Sequence, residues 1–113
     1  MAACGQNVEV TEPNYASTVQ IANETKEDIQ VQVLFHDEKE APEKAVIKAG
    51  DTWTSTIRFY DNGLRDVNPV SSATVEGGAY KATMNVEEVV KGVQETFDIK
   101  VTMVDEALVM TAA

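Results

Sequence analysis

The sequence predicts an all-β protein: an antiparallel β-sandwich of immunoglobulin-like or jelly-roll-like type, with about seven or eight short strands. Three observations carry that expectation. Apolar and polar residues alternate with period two in several separate stretches. Turn-forming residues punctuate them at intervals of roughly 10–12 residues. β-branched residues dominate the alternating stretches, as a pleated, half-buried surface prefers.

Taken in order, residues 1–16 carry Gly, Asn and Pro13-Asn14 with little periodicity, and read as a flexible N-terminal arm. Residues 17–113 read as a single sandwich domain, since the chain has 113 residues and is too short for two. Alternation begins at 18–23, and Glu24 to Asp28 form a polar turn. It is strongest at 29–35, where Ile29, Val31, Val33 and Phe35 share one face and Gln30 and Gln32 the other. An acidic loop with Pro42 leads to a short strand at 45–48. Residues 52–60 read as one strand, with Trp53, Ser55, Ile57 and Phe59 turned to the core. Asp61-Asn62-Gly63 supplies a tight turn. Residues 70–76 read as a weak strand, and 79–86 and 96–104 as stronger ones. The stretch near 86–94 fits either a short helix, with Val86, Val89, Val90 and Val93 at helical spacing, or a hairpin tipped by Lys91-Gly92. The four valines and Gly92 favour the hairpin. The apolar segment from Ala107 onward predicts a last strand that docks on its own sheet or a neighbour's.

Composition excludes several function classes. With 43% hydrophobic and 25% charged residues the chain is ordinary globular material. A net charge of −10 opposes nucleic acid and anionic membranes, whose binding rests on Lys and Arg. No apolar run is long enough to make a transmembrane segment. A single cysteine, Cys4, excludes an internal disulfide. Ala2-Ala3-Cys4 matches the end of a bacterial lipobox, which makes Cys4 a candidate lipid anchor and would put the protein at the cell surface. The plainer reading is a small tail on an untargeted chain.

Parts for catalysis are scarce. His36 is the only histidine, there is no Gly-x-Ser-x-Gly, and no glycine loop is followed by Lys-Ser/Thr. Neither an enzyme nor a cofactor is expected. His36-Asp37-Glu38-Lys39-Glu40 is the densest set of metal-ligand types, but Lys39 in its middle suits a solvated loop better than a cage. Asp61, Asn62, Asp66 and Asn68 space oxygen atoms as calcium-mediated contacts would tolerate, without forming an EF-hand loop. Asn23-Glu24-Thr25 matches the N-glycosylation acceptor and falls in an expected turn.

The candidate binding residues are Arg58 and Tyr60, on the wetter face of the 52–60 strand, with Asp61 and Asn62 of the adjoining turn. The reading these features favour is a non-enzymatic structural or protein-interaction module. It self-assembles or attaches to a surface through its N-terminal arm and C-terminal edge strand, so its expected partner is protein, chiefly itself. The alternative is a soluble lectin-like or cytolysin-like sandwich binding a sugar or lipid head group. Ile21-x-Asn23-x-Thr25, then the alternating strand, then Ala49-Gly50-Asp51-Thr52-Trp53, is similar to small β-sandwich cytolysins. That likeness covers less than half the chain and is not taken as membership.

Overall fold

The structure, a computed structural model, describes residues 13–60, 63–64 and 66–113. Cys4, Asp61 and Asn62 therefore lie outside the described residues. The described chain folds as the expected β-sandwich. Its strands are β1 (Tyr15–Asn23), β2 (Ile29–Phe35), β3 (Glu43–Ile47), β4 (Thr52–Thr54), β5 (Val70–Gly77), β6 (Tyr80–Asn85), β7 (Val93–Val104) and β8 (Ala107–Ala112). One sheet has the order β4-β1-β7-β8 and the other β3-β2-β5-β6.

All pairs are antiparallel except one. β1 runs parallel to β7 through an unbroken register from Thr18↔Thr96 to Asn23↔Val101. Its start is fixed there as well: Tyr15 N–H donates to Gly92 O, and Gly92 N–H donates to Asn14 Oδ1. Strand structure thus begins inside the stretch read as the arm. The Thr18 hydroxyl donates to Glu95 O and sits 3.0 Å from that of Thr96, which satisfies two buried or half-buried polar side chains locally.

Alternation sets the core. Ile29, Val31, Val33 and Phe35 are all buried, and they face Val19, Ile21, Phe97, Ile99 and Val101 of the opposite sheet. Val70, Ala73 and Val75 are fully buried, so the stretch read as a weak strand is an interior strand paired on both sides. Trp53, Ala82, Met84 and Met110 pack at the margins.

Two local expectations are corrected. The strand read over 52–60 ends at Thr54. Ser55 still pairs with Val19, giving its N–H to the carbonyl and accepting the Val19 N–H on Oγ. At Thr56 the Glu43 carboxylate takes both the backbone N–H and the hydroxyl, and the chain leaves its sheet for β3 of the other. Period two cannot foresee a side chain that outcompetes the ladder. Ile57 is consequently exposed rather than in the core. Near 86–94 the chain makes a single helical turn, α1 (Val86–Val89), instead of a hairpin. Val86 and Val90 lie four apart, joined by Val90 N–H to Val86 O, and both are buried. A strand would have turned Glu88 inward with them.

The acceptor sequence Asn23-Glu24-Thr25 also changes meaning. Asn23 is 1% exposed, and its Nδ2 donates to Glu27 O and to Ile47 O. Its Oδ1 accepts the Thr25 N–H and hydroxyl. A glycan on that nitrogen would break the site. Replacing Asn23 by Ala leaves the buried Ile47 O and the half-buried Thr25 N–H without this partner and a gap at a 1% exposed position, and is expected to cost about 3 kcal/mol, measured as a loss in urea unfolding free energy. The β7–β8 turn points the other way. Asp105 and Glu106 have φ of 49° and 60°, a conformation costly for a residue with a long side chain. Glu106→Gly is expected to raise stability by about 1 kcal/mol in the same assay.

Candidate functional site

Of the four binding residues expected from sequence, Arg58 and Tyr60 are among the described residues, and both are half-buried. Arg58 turns back over the Phe35 ring, its guanidinium carbon 5.5 Å from the centroid. Its terminal nitrogens lie 3.5 Å from Glu40 and 3.6 Å from Glu43. Its carbonyl accepts the Asn68 N–H. Arg58 thus ties the chain that follows β4 to the β2–β3 loop and the start of β3. With its charge matched by two carboxylates, it acts as a brace. Asp61 and Asn62, the remaining two positions, lie outside the described residues.

Tyr60 is half-buried beside a shallow depression of about 500 Å³ shared with His36, Asp37, Glu38 and Lys39. His36 Nδ1 is 2.7 Å from Glu87 Oε1, which joins the end of β2 to α1. The Asn68 side chain, read as a calcium-type ligand, is 1% exposed and already used. Its Oδ1 accepts the Asp37 N–H at 2.9 Å. Among the described residues no three His, Cys, Asp or Glu side chains converge to hold a metal ion, so calcium-mediated contacts gain no support. Among those residues, too, no helix is long and apolar enough to cross a membrane. A second concavity of about 540 Å³ lies on the outer face of β2, β3, β5 and β6. It is lined by Gln30, Gln32, Lys44, Thr74, Glu76 and Lys81 among others, and no aromatic ring lines it.

The sheet edges differ more sharply. A free edge offers a row of N–H and C=O groups to any passing strand, and proteins blunt it with brevity, charge or proline. β4 has three residues. β3 carries Glu43 and Lys44 with Pro42 just before it, and β6 carries Lys81. β8 has none of these devices: Ala-Leu-Val-Met-Thr-Ala is uncharged, without proline, and in unbroken register with β7. The side chains of Leu108 and Met110 anchor it, Leu108 being buried and Met110 packed against the core. Ala113 N–H donates to Asp98 O, which fixes the phase of the ladder. By antiparallel alternation, residues 107, 109 and 111 bond to β7, and the backbone groups of Leu108, Met110 and Ala112 point away from it. Among the described residues nothing pairs with them. In the sequence this segment stands out only by its apolar character. The missing charge on one edge among four shows only when the strand order is known.

Burial raises the Tyr60 phenol above its ordinary value of 10.0, helped by the negative charges of Asp37, Glu87 and Asp66. Above pH 10 the unfolded chain therefore loses this proton before the folded one, and stability falls as pH rises through that window. In a difference titration at 295 nm, the phenolate signal lost in Tyr60→Phe is expected to have its midpoint above 10.0. The variant should also show a shallower alkaline loss of stability; a missing component centred at or below 10 contradicts the assignment.

No family model matches the chain, and no curated protein matches it. A solved structure does: the NMR structure of a protein from Eubacterium rectale, with a TM-score of 0.53 and 13% identity over 86% of this chain and 89% of that one. At that identity the likeness is one of fold.

Proposed function

We propose that the chain is a non-enzymatic β-sandwich that associates with protein, first of all with itself, by strand addition at the edge of β8. One observation carries the reading: β8 alone among the described edge strands lacks the short length, charge or proline that keeps an edge from pairing. Main-chain hydrogen bonds give affinity in this mode, and Leu108 and Met110 hold the strand flat against its own core meanwhile. The scarcity of catalytic parts in the sequence agrees with it. A lipid on Cys4 would bring the same edge to a surface.

The test is light scattering or sedimentation over a range of concentrations, on the full chain and on Ala112→Pro. The Ala112 N–H faces away from β7 and its side chain is exposed, so proline removes a donor from the free edge without breaking the β7–β8 ladder. Association is expected in the parent and a loss of it in the variant, with unchanged circular dichroism. Because each copy carries a net charge of −10, added salt should tighten the association. A monomer at every concentration and salt overturns the proposal.

A further inference from the structure

Building on the reading of β8 as the associating edge, we infer that its partner is β8 of a second copy, antiparallel about a two-fold axis centred on Met110. The backbone phase narrows the choices. Only Leu108, Met110 and Ala112 present both N–H and C=O to the free edge. An added strand must set outward-facing groups against outward-facing groups, and it must keep core-side residues on the core side. A shift of one residue fails both conditions, because it moves every side chain to the wrong face. Among the shifts of two that remain, centring on Met110 uses the most groups. Leu108 then meets the partner's Ala112, Met110 meets the partner's Met110, and Ala112 meets the partner's Leu108. Any displacement by two residues discards one of these three pairs.

The two-fold arrangement also suits the charges. The acidic turn Asp105-Glu106 follows β7 at one end of β8, so the two-fold places the two copies' turns at opposite ends of the seam. On the outer face, Val109 stands directly opposite the partner's Thr111, as a pair without mutual hydrogen bonds. The product is one continuous eight-stranded sheet made from two four-stranded ones. It is closed, because each copy's β8 edge is consumed by the other. Head-to-tail addition, by contrast, would leave an edge open for growth.

Cross-linking reads the register directly. Opposed residues that are not mutually hydrogen-bonded have Cα atoms about 4.5 Å apart, within disulfide range. With Cys4→Ser removing the natural thiol, Val109→Cys and Thr111→Cys chains are made separately, and then mixed and oxidised. The inference expects a disulfide between the two different chains and little within either one alone, together with a doubling of the monomer mass in the parent by light scattering. Homodimeric Val109→Cys or Thr111→Cys disulfides formed as readily as the mixed one overturn the register. So does growth of the mass beyond a dimer with concentration. Association without the mixed disulfide sinks this inference and leaves the edge proposal standing. A monomer in every sample removes both. Both positions lie on the outer face, and thermal unfolding of each variant checks that the fold is kept.

Discussion

A buried carboxamide at the end of β1 holds the two sheets in their relation. Asn23 belongs to one sheet through its pairing with Val101, and its side-chain nitrogen donates to Ile47 O at the end of β3 in the other. Its backbone meets the β3–β4 connection, donating to Asp51 O and accepting from Gly50 N–H. The remaining donor and the oxygen organise the turn to β2 through Glu27 and Thr25. One side chain therefore satisfies the polar backbone at the place where the chain changes sheets, next to the fully buried Ile21, Ile29 and Ile47. Asn68 does comparable work at the other end of β2 and β5. It accepts the Asp37 N–H and takes its own backbone partner from Arg58. Asparagine suits these junctions because a neutral amide offers donors and acceptors at once, without the cost of burying a charge.

What the sequence makes legible follows from how each kind of information is encoded. Strand β2 could be read residue by residue, since its burial follows its alternation without exception. Strand β1 was legible as a strand, but its parallel partner was not, because periodicity carries no label for the neighbour. The 52–60 stretch alternates as well as β2 does, yet it leaves its sheet at Thr56 for the carboxylate of Glu43, distant in sequence. The same blindness applies to the residues expected to bind. Arg58 looked free on a wet face, and only the fold brings Phe35, Glu40 and Glu43 around it. Asn23 was visible only as an acceptor sequence, with its burial hidden.

The edge strand shows a related division of labour. Acidic residues give the chain its net charge of −10, which keeps copies apart in general. None of them stands on β8. Long-range repulsion and contact at an uncharged edge act at different distances, so under the proposed association the first would suppress indiscriminate contact without touching the second.

The parallel ladder between β1 and β7 has a consequence in time rather than in space. Its partners lie far apart along the chain, as the 78-residue gap between Thr18 and Thr96 shows. The β2–β3 and β5–β6 pairings close much shorter loops and can form early. On the ribosome β1 emerges before β7 and must wait for it, with Val19 and Ile21 lacking their final cover. A fold of such high contact order gains its speed from the second sheet and its delay from the first.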